Sequence, residues 1–170
     1  MRDKIIEELT SIKREGIQNL INYLDDTDFF IAPCSTKYHL NKEGGLAEHS
    51  FNVFNNLRNK VEALGLEIPI DTIKIIGLLH DICKVDSYIL EKGKYKFKTS
   101  FPLDHGVKSL YLINQHIKLT DEEALAIRYH MGTYDVAGYS EAAYNDARKM
   151  YPLVTLLQTA DLESTFVTEK

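Results

Sequence analysis

The sequence predicts an all-α domain of about six to eight helices with a small β-hairpin near residues 86–101. Apolar residues recur at the three- and four-residue spacing of helices over most of the 170 residues. Short runs rich in Gly, Asp or Pro separate these periodic stretches, and one stretch alternates as a strand does. Because 44% of the residues are hydrophobic and 26% are charged, we expect a single domain over 1–170 with a sizeable core.

The N-terminal segment, residues 1–28, has the pattern of one or two amphipathic helices. Its apolar residues follow helical spacing, are interrupted near Gly16 and end at the acidic run 25–28. The next stretch, residues 29–45, contains Pro33 and two glycines at its end and has no clear period. This composition predicts a long loop that leads into a helix.

Two buried helices are predicted after this loop. The first begins near Leu46, carries His49 in its first turn and ends at Gly65, which occupies the position of a C-terminal cap. The second covers residues 71–83 and brings an adjacent histidine and aspartate to its end.

A β-hairpin is predicted where the pattern changes, at residues 86–101. Aromatic and aliphatic residues there alternate with polar ones around the turn at residues 91–94. Lys94, Lys96 and Lys98 would share one face of the second strand. They either form a basic strip aimed at a phosphate or protect an exposed edge strand from pairing, and the second role is commoner.

Helical patterns resume near Pro102 and continue to the end of the chain. A capping box at residues 120–123 opens one helix, which is predicted to end at 130–132. A loop at 133–139 then leads to a final apolar stretch at 151–160.

Composition restricts the classes of function. A formal net charge of −5 argues against a protein that coats nucleic acid, but it leaves open a small phosphorylated ligand held locally. The longest apolar run is far too short for a membrane span and the N-terminus lacks a signal-peptide pattern, so we expect a cytoplasmic protein. Cys34 and Cys83 show no metal-type spacing and are expected to be free thiols.

The adjacent pair His80 and Asp81 is the strongest indication of a functional site. An imidazole and a carboxylate can bind one hard or borderline metal ion together, although a lone histidine in an apolar helix is usually a hydrogen-bonded core residue. Four of the six histidines fall at the ends or first turns of separate predicted helices, where several elements can converge on an ion. The candidate ligands are His49, His80, Asp81, His105, His130 and Asp161. His116, in mid-helix, is expected at the surface.

These residues together resemble the HD superfamily of metal-dependent phosphohydrolases, which has an all-helical fold. The motifs that carry the resemblance are GGLAEHS at 44–50, LLHDICK at 78–84 and the pair Ala160-Asp161, in the order H…HD…D. His105 and His130 resemble the two extra histidines of members that hold a second metal. The resemblance covers residues 29–165, which we interpret as the core of an HD-domain bundle, with 1–28 as an N-terminal helical segment.

Residues 29–46 are also similar to the HD domain of the YhaM-type 3′-5′ exoribonucleases of Gram-positive bacteria. Those enzymes carry a nucleic-acid-binding OB domain before the HD domain, and this sequence has no room for one. We therefore expect a small phosphorylated or nucleotide substrate rather than extended nucleic-acid binding.

The resemblance implies that a metal-activated water hydrolyses a phosphoester. It implies a first ion held by His49, His80, Asp81 and Asp161, and a second held by His105 and His130 with Asp81 shared. Two divalent ions would clamp the phosphoryl oxygens and activate the water. Imidazole and carboxylate ligands fit Mn, Fe, Co, Ni or Zn without choosing among them.

Other residues around these ligands have open roles. Lys84 is a candidate contact to substrate phosphate in the family, or a cation that stabilises a helix C-terminus. His39 and Tyr134 are candidate substrate contacts, and Asp135 and Tyr139 could join Tyr134 in walling a pocket, although tyrosines at a core edge are commoner. The candidate catalytic residues are His80, Asp81 and Lys84.

Two other classes of function fit the same ligands. A few relatives with a di-iron HD-type site carry out oxygen-dependent oxidation instead of hydrolysis. A non-catalytic module that binds a metal or a nucleotide is the third possibility, although a pocket that only binds does not require six ligands of metal-binding type.

Overall fold

The computed structural model describes residues 1–37, 39–98, 101–135 and 139–169, with only the backbone described at 135, 139 and 140. Within these residues the chain forms eight α-helices and one antiparallel pair of strands, which confirms the predicted all-α class and the hairpin. The helices are α1 (Arg2–Thr10), α2 (Ile17–Asp26), α3 (Gly45–Ala63), α4 (Ile70–Leu79), α5 (His105–Asn114), α6 (Asp121–Arg128), α7 (Tyr139–Met150) and α8 (Pro152–Glu163). The strands are β1 (Tyr88–Glu91) and β2 (Lys94–Phe97).

The core is organised around α3, which packs against α4 on one side and α8 on the other. Phe54 and Leu57 of α3 are fully buried, as are Ile76 of α4 and Leu157 of α8. Each such side chain contributes about 1.5–3 kcal/mol by leaving water. Helices α5 and α6 complete the body, since α6 packs on α8 and α5 packs on α6.

The contact between α3 and α4 is a close approach of two backbones. A Cβ atom placed on Gly77 of α4 would lie 2.7 Å from the Cα atom of Phe54 on α3. Only glycine fits such a gap without a shift of one helix. This contact sets the end of α4 beside the first turns of α3, where His49 lies.

The C-terminus of α3 is capped as the sequence predicts. Gly65 has a positive φ of 63°. Its N–H donates to the carbonyl of Glu62 at 3.0 Å, and the N–H of Leu66 donates to the carbonyl of Val61 at 3.1 Å. These are the two hydrogen bonds of the Schellman motif, which satisfies carbonyls at the helix end.

The prediction that the second buried helix continues to Cys83 is wrong, because α4 ends at Leu79. The hydroxyl of Ser109, on α5, donates to the carbonyl oxygen of His80 at 2.6 Å. The N–H of Lys84 instead donates to the carbonyl of Asp81 at 3.0 Å, and residues Ile82–Lys84 form one 3₁₀ turn. The chain therefore leaves the helix at the His80-Asp81 pair.

Three further boundaries differ from the predictions. Helix α5 begins at His105 and not near Pro102, and it ends at Asn114, so that His116 follows the helix instead of lying within it. Helix α6 ends at Arg128, two residues before the predicted boundary. No separate helix is predicted where α7 lies, between the predicted loop at 133–139 and the apolar stretch at 151–160.

The hairpin has a two-residue turn. Tyr88 pairs with Phe97 and Glu91 pairs with Lys94. Between the strands, Lys92 and Gly93 have φ values of 50° and 74°, as turns of this length require.

The N-terminal segment is tied to the body by a buried carboxylate. Glu123 forms the predicted capping box with Thr120 at the start of α6. Its carboxylate also accepts two hydrogen bonds from Arg14, at 2.6 and 3.0 Å, and one from the hydroxyl of Thr72 at 2.8 Å. Among the described residues, no helix combines the length and the apolar character needed to cross a bilayer.

Candidate metal centre

The structure brings the six candidate ligands together, from five different helices or their ends. His49 lies in α3, His80 and Asp81 follow α4, His105 opens α5, His130 follows α6, and Asp161 lies near the end of α8. Groups of three of these side chains have donor atoms within 4.8 Å of one another. Residues at the ends of four helices therefore converge on one point with His49, which lies inside α3.

Asp81 lies at the centre of the cluster and is almost completely buried. Its Oδ1 atom lies 2.7 Å from Nε2 of His105 and 3.4 Å from Nε2 of His130. Its Oδ2 atom lies 3.6 Å from Nε2 of His49, 3.7 Å from Nε2 of His80 and 2.6 Å from Nζ of Lys84. One carboxylate is thus shared between two groups of imidazoles.

The charges of Asp81 and Lys84 hold each other in the ionised form. Burial alone would raise the pKa of Asp81, but Lys84 and the neighbouring histidines hold this pKa well below its usual range. Burial would lower the pKa of Lys84, and Asp81 raises it well above its usual range. The pair therefore carries a negative and a positive charge at neutral pH.

Two imidazoles are oriented by backbone carbonyls. Nδ1 of His80 donates to the carbonyl of Gly77 at 2.9 Å, and Nδ1 of His130 donates to the carbonyl of Ile127 at 2.7 Å. Since a carbonyl only accepts hydrogen bonds, Nδ1 carries the proton and the lone pair of Nε2 faces the cluster. Burial also lowers the pKa of His80 to about 4, so that its imidazole is a neutral ligand at pH 7.

His49 is oriented by a carboxylate instead. Its Nδ1 atom lies 3.0 Å from Oε2 of Glu169, and its Nε2 atom lies 3.1 Å from Oδ1 of Asp161. Burial lowers the pKa of His49, but these two carboxylates outweigh burial and raise the pKa to about 9. In the metal-free protein His49 is therefore protonated at neutral pH.

The donor atoms of the cluster fit a divalent ion. The Nε2 atoms of His80 and His130 are buried and accept no hydrogen bond from any group that the structure describes, whereas Nε2 of His49 faces Asp161. A buried polar atom left unsatisfied costs about 1–3 kcal/mol, so two on one cluster need an explanation. An ion held by imidazole and carboxylate would satisfy both atoms.

A cavity of about 320 Å³ opens beside the cluster. Its polar wall contains Asp81, Lys84, His39, His105 and Asp161, and its apolar wall contains Met131, Tyr134, Leu162 and Phe166. The three candidate substrate contacts, Lys84, His39 and Tyr134, thus line one cavity. Tyr134 is 90% exposed and lies at its mouth.

Sequence reasoning missed two residues of this site. Glu169 is the partner of His49, and the buried Cys34 has its Sγ atom 3.0 Å from Nε2 of His39 and 3.3 Å from Nζ of Lys84. Burial raises the pKa of the Cys34 thiol, which keeps it protonated. In the sequence, the only indication that Cys34 belongs to the site is its position five residues before His39. No sequence feature indicates that Glu169 belongs to it.

Other predicted residues lie away from the cluster. His116 is half-buried and its ring packs 4.8 Å from that of Tyr23. Arg128 is half-buried, with its guanidinium 5.2 Å from the ring centre of Tyr129. The predicted pocket roles of the Asp135 and Tyr139 side chains lie outside the described residues.

The lysines of the hairpin are exposed. Lys96 forms an ion pair of 2.6 Å with Glu91 across the two strands. This contact favours protection of an edge strand over a basic strip aimed at the cluster.

Comparison with known proteins agrees with this geometry. A curated relative, the "Dihydroneopterin 2′,3′-cyclic phosphate phosphodiesterase" of Methanocaldococcus jannaschii, is 38% identical over 112 residues. The match covers 62% of this chain and 43% of the relative, so the chain spans less than half of the relative's length. No solved structure matches the chain. The family model of the HD domain matches residues 46–165, which include all six candidate ligands. The chain therefore belongs to the HD domain family.

Proposed function

We propose that this protein is a metal-dependent phosphohydrolase that cleaves a phosphoester of a nucleotide or of a small phosphodiester. The observation that carries the proposal is the pair of buried Nε2 atoms, on His80 and His130, that face Asp81 and Asp161 without hydrogen bonds to described groups. A cavity large enough for a small substrate opens on the same point.

The six clustered side chains would hold one or two divalent ions. We assign His49, His80, Asp81 and Asp161 to a first ion, and His105 and His130, with Asp81 shared, to a second. Such ions supply Lewis acidity and an activated water when bound. Nitrogen and oxygen ligands of this kind are compatible with Mn, Fe, Co, Ni and Zn.

Lys84 is the cationic residue that we assign to the substrate. Its side chain lines the cavity and is 14% exposed, and its ammonium is held by Asp81, so this cation is fixed at the edge of the cluster instead of moving in solvent. A fixed cation there binds a phosphoryl oxygen and stabilises the charge that grows during displacement.

His39 contributes a neutral imidazole to the same wall. Burial and the neighbouring His49 lower its pKa to about 4, so it carries no charge at pH 7. A neutral imidazole accepts or donates hydrogen bonds without adding charge, which suits a hydroxyl or an ester oxygen of the substrate.

The apolar wall of the cavity supports a substrate with a flat ring. Met131, Leu162 and Phe166 line the same cavity as the charged residues, and Tyr134 contributes an exposed aromatic ring. The curated relative is named for a cyclic phosphate diester of a pterin, which combines a flat ring with a small phosphodiester. We therefore expect 2′,3′-cyclic phosphates of ring-bearing compounds among the substrates.

The proposal is tested by metal analysis together with hydrolysis. We expect one to two transition-metal ions per chain after loading, and turnover of bis(4-nitrophenyl) phosphate and of 2′,3′-cyclic nucleotides. His80→Ala should lose metal and reduce kcat/KM at least about 10³-fold, since it removes a ligand. His116→Ala is the matched control and should retain both properties.

Three results would contradict the proposal. If the protein bound none of the five metals, it would have the fold of the family without metal-dependent hydrolysis. Tight binding of nucleotides by the loaded protein without turnover would favour a binding module. Oxygen uptake by the iron-loaded protein, without hydrolysis, would favour a di-iron oxygenase.

A further inference from the structure

Glu169 is a buried carboxylate that contacts the cluster from the outside. Its side chain is 2% exposed. One oxygen accepts a hydrogen bond from Nδ2 of Asn52 at 2.9 Å, and the other lies 3.0 Å from Nδ1 of His49 and 3.6 Å from Nε2 of His39. Glu169 thus joins a candidate metal ligand to a candidate substrate contact.

The histidines of the cluster differ in how their second nitrogen is held. His80 and His130 each use a carbonyl three residues earlier in the chain. His49 lies within the regular part of α3, where backbone carbonyls accept from the N–H groups of the helix itself. Its acceptor comes from a residue 120 positions away.

We propose that Glu169 is a positioning residue that orients His49 and increases its strength as a metal ligand. The inference rests on the proposed metal site. A ligating histidine commonly donates its second N–H to a carboxylate, which fixes the ring and makes the ligating nitrogen more basic. Glu169 supplies that carboxylate to one histidine, while neutral carbonyls serve His80 and His130.

The fold holds Glu169 in place through two asparagines one turn apart on α3. Asn52 donates to the carboxylate itself, and Asn56 donates to the hydroxyl of Ser164 at 2.9 Å. Ser164 begins a π-helical turn, Ser164–Thr168, and its carbonyl accepts from the N–H of Glu169 at 3.0 Å. The wider turn places Glu169 against α3 instead of continuing the direction of α8.

The experiment measures metal affinity of the full chain, with Mn²⁺ and Co²⁺ in competition with a chelator. Glu169→Ala should weaken binding about 10- to 100-fold, the range seen when such partners of metal ligands are removed. Glu169→Gln keeps the volume and an acceptor oxygen, so it should recover part of the loss. Asn52→Ala removes one hydrogen bond to the carboxylate, so it should weaken metal binding less than Glu169→Ala does.

Glu163→Ala is the matched control, because it removes a glutamate at the end of α8 that pairs with Lys60 at the surface. It should leave metal affinity unchanged. Wild-type affinity in Glu169→Ala would overturn the inference while the metal site stands. The inference would also be overturned if Glu169→Gln lost as much metal affinity as Glu169→Ala. It would likewise be overturned if Glu163→Ala lost as much metal affinity as Glu169→Ala. Absence of metal binding in the wild-type protein would overturn both this inference and the proposed function.

Discussion

Asp81 is a buried carboxylate with four imidazoles and one ammonium around it. Burying a single charge costs several kcal/mol unless partners compensate for the lost water. The closest compensation comes from Lys84 and His105, at 2.6 and 2.7 Å. These partners hold in its ionised form the carboxylate that we assign to both ions.

Replacing Lys84 by glutamine should affect turnover more than metal binding. The variant removes a fixed cation from the cavity but leaves all six candidate ligands in place. We expect kcat to fall about 10²- to 10³-fold, as when one stabilising donor is removed from a transition state. Metal content should stay near the wild-type value.

Lys96→Gln is the control for this variant. Lys96 forms an ion pair of the same 2.6 Å length with Glu91, but both side chains are exposed. Steady-state kinetics should therefore be unchanged. Full activity in Lys84→Gln would exclude Lys84 from the catalytic residues.

The metal affinity should increase with pH because a proton occupies a ligand in the metal-free protein. Asp161 and Glu169 raise the pKa of His49 to about 9 against the effect of burial. Below that pH an ion bound by His49 must displace the proton, so the affinity of this first site should rise about tenfold per pH unit and level off near pH 9. Chelator competition at pH 6, 7, 8 and 9 measures the slope, and a flat profile would contradict protonation of His49.

Single residues differ in how far the sequence predicts their place in the site. The four histidines were identifiable because each falls at the end or in the first turn of a predicted helix. Glu169 was not, because one glutamate after an apolar helix looks like an ordinary surface residue. Its burial depends on α3 and α8 packing side by side, and no local pattern encodes that contact.

At the scale of helices, the contact between α3 and α4 positions His80 relative to His49. The backbones touch at Gly77 and Phe54, and the carbonyl of Gly77 also orients His80. One glycine therefore fixes both the distance between two helices and the direction of an imidazole.

Gly77→Ala should weaken both stability and metal binding. Alanine favours a helix by about 1 kcal/mol over glycine. The new Cβ, however, would lie 2.7 Å from Phe54 Cα, and such overpacking typically costs about 1–3 kcal/mol. We expect a net loss of stability in urea unfolding, together with weaker metal binding because His80 shifts.

Gly65→Ala separates these two effects. It introduces strain at a positive φ, but a Cβ there would meet no atom within 4 Å. This variant should lose stability at an unchanged metal affinity. If Gly77→Ala kept wild-type metal affinity, the α3–α4 contact would have no part in placing His80.

The helices themselves were largely predictable, and the errors have a physical cause. Periodicity and caps located α3, α4, α6 and α8, because their apolar stripes and end signals are local. The apolar run through Cys83 also fitted a helix. However, the hydroxyl of Ser109 donates a hydrogen bond to the carbonyl of His80, and α4 ends earlier. Such a hydrogen bond between distant residues leaves no trace in the local pattern.

At the scale of the whole molecule, Glu123 adds a buried polar attachment to the apolar packing that holds the N-terminal segment. The carboxylate is fully buried and bonds to Arg14, Thr72 and the backbone of Thr120. Burial raises the pKa of Glu123, but Arg14 and the other donors outweigh burial and hold it below its usual value. This network joins α6 to the start of the chain and to α4.

Glu123→Ala should lower the free energy of unfolding by about 3 kcal/mol, since breaking a buried pair leaves Arg14 without its charge partner. Metal affinity should not change, because none of these residues belongs to the cluster. Glu91→Ala removes an exposed pair instead and should cost less than about 1 kcal/mol. Urea denaturation with fixed metal compares the two, and equal losses would contradict a special role for Glu123.

The contact between His49 and Glu169 has a consequence for biosynthesis. Their separation of 120 residues means that a ribosome makes α3 long before it makes the partner of His49. A nascent chain that ends after α6 already carries His49, His80, Asp81, His105 and His130, yet it lacks Asp161, Glu169 and the helix that packs on α3. Any ion captured at that stage would meet an incomplete and loosely held set of ligands. We therefore expect the proposed metal site to be complete only after α8 and Glu169 have been translated.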